Sequence, residues 1–190
     1  MKELIRRESG RTKQISSTDV AEIRKRARAN VEDGAVTASY RADRDAVVKL
    51  LNEALATEIV CILRYKRHYY MASGIHAQTA AAEFLEHANT EQTHADRVAE
   101  RIIQLGGEPD LNPDTLTSRS HAEYVEGKTV TDMLRENLVA ERIAVQSYTD
   151  FIRYLGDDDP TTRRLLEEIL ANEEEHADDL KTLMEHLGQV

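Results

Sequence analysis

The segment Ala171–Leu180, "ANEEEHADDL", looks at first like an exposed acidic helix, since five of its residues are Asp or Glu. Its neighbours contradict that. Leu166, Ile169, Leu170, Ala177, Leu180, Leu183 and Leu187 recur at spacings of three and four, which marks one apolar helix face. Glu173 and His176 sit on that same face, so a carboxylate and an imidazole occupy a stripe meant for a core. The pattern is repeated: "TEQTHAD" (Thr90–Asp96) matches "NEEEHAD" (Asn172–Asp178) in its Glu-x-x-His-Ala-Asp part. Upstream, Glu58 precedes Glu91 by 33 residues and Glu141 precedes Glu173 by 32, and each is followed seven residues later by a tyrosine, Tyr65 or Tyr148. These two glutamates also lie on apolar stripes, Glu58 among Leu51, Leu55, Ile62 and Tyr65, Glu141 among Leu134, Leu138, Val145 and Ile152. The chain therefore contains two related halves.

A length of 190 residues with 32% charged and 5% aromatic residues favours one domain of long amphipathic helices. Periodicity predicts four of them, at about 43–73, 76–105, 129–155 and 160–187. Gly74, Gly106 and Gly188 stand where C-terminal caps belong, Thr129 with Asp132 has capping-box spacing, and Asp159-Pro160 reads as an N-cap with proline at the first helical position. Short links make hairpins of the first and second helices and of the third and fourth. The 22 residues of Gly107–Lys128 are long enough to run the length of a helix, so the second and third helices lie parallel. The predicted fold is all-α: a four-helix bundle, residues 43–190, with a long crossover between its second and third helices. Residues 1–42 form a polar N-terminal arm with a short helix opened by Asp19 and Glu22 and stopped near Gly34.

Four carboxylates and two imidazoles thus converge inside one bundle. Burying one unpaired carboxylate costs several kcal/mol, so four would exceed a typical stability of about 5–15 kcal/mol. Two divalent metals supply the missing four positive charges. Glu at position i and His at i+3 share a helix face and reach one metal, and a Glu from each remaining helix completes a di-iron carboxylate set. Carboxylate and imidazole ligands suit iron, with manganese as the alternative. Tyr65 and Tyr148 are expected as core tyrosines bonded to the site, Asp96 and Asp178 as surface residues, and Cys61, the single cysteine, as a buried small side chain. His87, four residues before Glu91, either lines the cavity or helps an accessory iron position.

"LNEALATEIVCILRYKRHYYM" (Leu51–Met71) and "EEILANEEEHADDL" (Glu167–Leu180) closely resemble the corresponding helices of bacterioferritins. The resemblance, covering about 45–188, implies a ferritin-like bundle in which Glu58, Glu91, His94, Glu141, Glu173 and His176 take the places of the six ferroxidase ligands. Glu91 and Glu173 would be the bridging pair, Glu58 and Glu141 the terminal carboxylates. Where bacterioferritins place a haem-ligating methionine after the first Glu of Glu-x-x-His, this chain has Gln92, so no haem is expected. Thr90 and Asn172 replace the Asp that the family often uses to hold each His ring. Bacterioferritins continue into a short fifth helix where this chain has only Gln189 and Val190 after Gly188; together with the N-terminal arm and the longer crossover, this resembles the smaller twelve-subunit Dps-like cages that carry a bacterioferritin-type centre more than a 24-subunit shell. The thioferritin branch carries a cysteine pair that this chain cannot supply.

The function expected from the resemblance is oxidation of Fe(II) by O2 or H2O2 at two iron ions per subunit, with ferric mineral stored inside a hollow homo-oligomer. Alternatives are a non-storing di-metal peroxidase, catalase or oxygenase, and a Dps-like DNA-protecting protein. The formal charge of −10 disfavours nucleic acid on the body of the protein, whereas residues 1–28 hold nine Lys or Arg against four Asp or Glu. That arm is expected to dock on a neighbouring subunit, with weak DNA binding as the other reading. No apolar run approaches the roughly 20 residues that span a bilayer, and the start lacks a signal-peptide pattern, so a cytoplasmic protein is expected.

Overall fold

Long helices form where the apolar periodicity places them. The computed structural model describes residues 19–74 and 77–187, together with the backbone of two short strands. Chain contacts divide it between Ala38 and Ser39. In the first unit, β1 (Arg7–Glu8) pairs antiparallel with β2 (Arg11–Thr12), an element that the polar sequence did not announce. Helix α1 (Val20–Ala29) follows, its first turn closed by the Asp19 carboxylate, which accepts from the backbone of Ala21 and Glu22. It stops before Gly34, with a 3-10 turn at Val31–Asp33 in between. Val20, Ile23 and Val31 are all exposed.

The second unit is a bundle of four long helices: α2 (Arg44–Met71), α3 (Ala77–Gln104), α5 (Val130–Leu155) and α6 (Pro160–Leu187), with the short α4 (Leu116–Arg119) inside the crossover. The expected starting region at His76 and the cap at Gly188 lie outside the described residues. Helix α2 packs chiefly on α3, and α5 on α6. The caps are explicit. Thr129 and Asp132 form a reciprocal capping box at the start of α5, and Asp159 accepts from the Thr162 backbone at 2.9 Å at the start of α6. Asp159 also pairs with Arg101 of α3 at 3.0 Å and accepts from Tyr40 at 3.0 Å, which locks the α5–α6 link against the rest of the bundle.

The crossover climbs α2 one contact at a time. Arg119 donates to the Asn52 carbonyl, the His121 amide to the Thr57 hydroxyl, and Arg64 to the Glu123 carbonyl at 2.8 Å. Its start presses on α2 so closely that a Cβ at Gly107 would lie 2.6 Å from Val48 Cγ1, leaving room only for glycine. The crossover is not wholly extended, because Leu116 of α4 packs against Ala56 and Val60 of α2 and winds the chain there. The four helices share a core that includes Leu51, Leu55, Phe84, Ile102, Leu134, Leu166, Ile169 and Leu180, all essentially closed to solvent. This is the expected four-helix bundle with a long crossover, in which α2 and α5 run antiparallel across the core and carry one glutamate each into its middle. No described helix is long and apolar enough to cross a membrane.

Candidate metal centre

Each long helix brings ligand-type side chains to one level of the bundle: Glu58 from α2, Glu91 and His94 from α3, Glu141 from α5, Glu173 and His176 from α6. None exposes more than 6% of its surface. They fall into two overlapping groups. Ligand atoms of Glu58, Glu91, His94 and Glu173 lie within 4.8 Å of one another, and so do those of Glu91, Glu141, Glu173 and His176. Glu91 and Glu173 belong to both. His94 Nδ1 is 3.5 Å from Glu58, 3.4 Å from Glu91 and 3.1 Å from Glu173; His176 Nδ1 is 3.4 Å from Glu91 and 3.7 Å from Glu173.

These close approaches are not aligned as hydrogen bonds. Glu58 Oε2, Glu91 Oε1, both Glu173 oxygens and the Nδ1 atoms of His94 and His176 are buried without a hydrogen-bond partner. Buried polar atoms are almost always satisfied, so six orphans aimed at one volume describe a site shaped for cations. The donor set, carboxylate oxygen with one imidazole in each group, fits a pair of divalent ions of the iron or manganese kind.

In the metal-free state protons take the place of that charge. Burial and the neighbouring Glu91 push Glu58 up to about 8, and burial with Glu173 and Glu91 raises Glu141 well above the carboxylate range. Burial also opposes charge on Glu91 and Glu173, but contacts with His94 and His176, and with the protonated outer carboxyls, hold both below the usual value. The imidazoles follow suit. Burial would lower them, yet the carboxylates raise His176 to about 9 and His94 further. At neutral pH these shifts favour two ionised glutamates facing two protonated histidines.

Outer partners hold these side chains in place. Tyr65 of α2 donates to Glu141 of α5, and Tyr148 of α5 donates to Glu58 of α2, a reciprocal exchange across the bundle. His94 Nε2 bonds Asn172 Oδ1 at 3.1 Å, so Asn fills the ring-holding position on that side. Thr90 does not do the same for His176, because its hydroxyl bonds the Glu86 carbonyl of its own helix. Instead His87 stacks on His176, with ring centroids 3.9 Å apart and 18° between planes. Asp96 and Asp178 are exposed and Cys61 is buried, as the helical spacing indicated. Sequence reasoning missed Glu83 and Asp179, which join His87 in a further group of ligand atoms. The pairing of Glu83 with His87 at i, i+4 was a readable signal; Asp179 arrives from another helix.

With this geometry established, comparison with known proteins is informative. Residues 48–190 match the model of the ferritin-like domain family. A bacterioferritin of Desulfovibrio desulfuricans is 31% identical over 153 residues, which cover 80% of this chain and 79% of the relative. The bacterioferritin-related dodecameric thioferritin of Bacteroides fragilis superposes with a TM-score of 0.75 at 30% identity, covering 77% of this chain and 89% of that one. Dps of Thermosynechococcus elongatus superposes with a TM-score of 0.71 at 20% identity, covering 74% and 90%, a likeness of fold alone.

Proposed function

The chain belongs to the ferritin-like family, and from that premise we propose that it is a ferroxidase that stores iron. Bacterioferritin relatives support iron oxidation and storage at the level of the family. The observation that carries the finer reading is the pair of ligand groups sharing Glu91 and Glu173. Two Fe(II) ions bind as substrates, one toward Glu58 and His94, the other toward Glu141 and His176, with Glu91 and Glu173 between them. Held side by side, two Fe(II) ions give two electrons to one O2 or H2O2, so reduction does not stop at a one-electron oxygen product.

The chain's own groups do the rest. Tyr65 and Tyr148 fix the orientation of the terminal carboxylates, and Asn172 fixes the His94 ring with Nδ1 turned inward. The apolar residues around the site keep bulk water out, and the protons displaced by incoming cations leave from Glu58, Glu141 and the two imidazoles.

The product is a ferric mineral inside a hollow homo-oligomer. Twelve subunits are favoured by the likeness to the dodecameric B. fragilis protein. The arm docks on a neighbouring subunit, and the protein works in the cytoplasm. Aerobic Fe(II) loading followed by size-exclusion chromatography tests storage: a large shell that co-elutes with far more than two irons per chain is expected. A small oligomer holding two would make this a non-storing di-metal enzyme. Gln92 is exposed and donates to Asp96 at 2.9 Å, and offers no thioether to an intersubunit haem. The purified protein should therefore show no stoichiometric haem Soret band; one with thioether ligation would contradict this.

A further inference from the structure

The dinuclear positions are sealed, so Fe(II) has to be passed to them, and one cluster outside the six ligands leads from solvent to their edge. Glu83 and His87 of α3 and Asp179 of α6 bring ligand atoms within 4.8 Å of one another. The three are graded in depth: Asp179 is exposed, the Glu83 side chain 23% exposed and that of His87 2%. His87 Nε2 lies 3.1 Å from Glu83 Oε1 on the outer side. On the inner side its Nδ1 meets the Tyr65 hydroxyl at 3.1 Å, and Tyr65 donates to Glu141. His87, Glu141 and His176 also have ligand atoms within 4.8 Å of one another, so a single imidazole separates the outer cluster from the second dinuclear position.

The two carboxylates of this cluster lack a paired Lys or Arg among the described residues. Burial and repulsion by Asp179 and Glu86 raise the Glu83 carboxyl above its ordinary range, against a smaller opposing pull from His176. Among the described residues no Lys or Arg is paired with Glu83 or Asp179. Two carboxylates and an imidazole with no Lys or Arg partner form a ligand set for a hard or borderline divalent ion.

We propose that Glu83, His87 and Asp179 form a third divalent-cation site, which takes up Fe(II) at the α3–α6 surface and passes it by way of His87 to the dinuclear centre. The delivery role rests on the ferroxidase reading above; the site itself does not. Passage requires no redox step: the ion exchanges the Glu83 and Asp179 oxygens for those of Glu141 and the bridging pair.

Equilibrium dialysis of the full chain against Co(II) under anaerobic conditions tests the site. The isosteric double variant Glu83→Gln, Asp179→Asn should bind one ion per chain fewer than wild type. That difference should persist when both proteins also carry Glu91→Ala, which removes the dinuclear positions. Equal binding by wild type and double variant overturns the proposal. If Glu91→Ala removes no ions while the one-ion difference stands, the dinuclear reading fails and the third site survives. Stopped-flow oxidation at less than one Fe(II) per chain tests delivery. The double variant should be several-fold slower, with the same final extent of oxidation; an unchanged rate would overturn the delivery role.

Discussion

Replacing Glu91 with alanine should abolish the fast phase of Fe(II) oxidation, as should His94→Ala, while leaving the circular dichroism of the bundle unchanged. Glu91 belongs to both ligand groups, so its removal strips an oxygen from each position at once. His94 supplies the only imidazole of its group. Loss of an outer partner typically costs roughly 10–100-fold in metal affinity or activity, and loss of a direct ligand exceeds that. Rapid mixing of anaerobic protein and Fe(II) with O2 gives the readout. Wild-type rates in both variants would remove these residues from the site.

Loading two divalent ions at pH 7 should release about four protons per chain. The count comes from the metal-free site: Glu58 at about 8, Glu141 well above the carboxylate range, His176 at about 9 and His94 higher still are all protonated at neutral pH. Each must lose its proton to act as a ligand. Zn(II) added to lightly buffered protein with a pH dye measures the release; one proton or none would contradict the charge balance. The same groups set the stability of the metal-free protein. The imidazoles are raised, so their stabilisation is complete below about 6.5 and is lost as pH rises through about 9 for His176. Glu58 is raised as well, and its penalty for ionising grows between about 4.5 and 8. Both act in the same direction. The melting temperature of the apoprotein should fall from pH 5 to pH 9, and added metal should restore more stability at the alkaline end.

The convergence of the six side chains was legible because Glu-x-x-His is a local pattern: residues three apart on one helix must face the same way, and the apolar stripe says which way that is. Glu58 and Glu141 were readable for the same reason. The 22-residue link settled the helix directions, although α4 was hidden, since Leu116 is the lone aliphatic residue between Asn112 and His121 and winds against Ala56, Ile59 and Val60. Contacts between helices were less accessible. That Asn172 would hold His94, that Thr90 would turn to its own helix, and that Tyr65 and Tyr148 would exchange partners depend on rotation and register, which spacing along one chain does not encode. Asp179 illustrates the same limit: on α6 alone it is one more exposed acid.

The central claim is that these four helices hold two metal ions between Glu91 and Glu173. Anomalous diffraction from crystals soaked anaerobically in Fe(II) tests it most directly. The account predicts two peaks per bundle, about 3.5–4 Å apart, both bounded by Glu91 and Glu173, one beside His94 and the other beside His176. A single peak there, or iron found only at other residues, would contradict it.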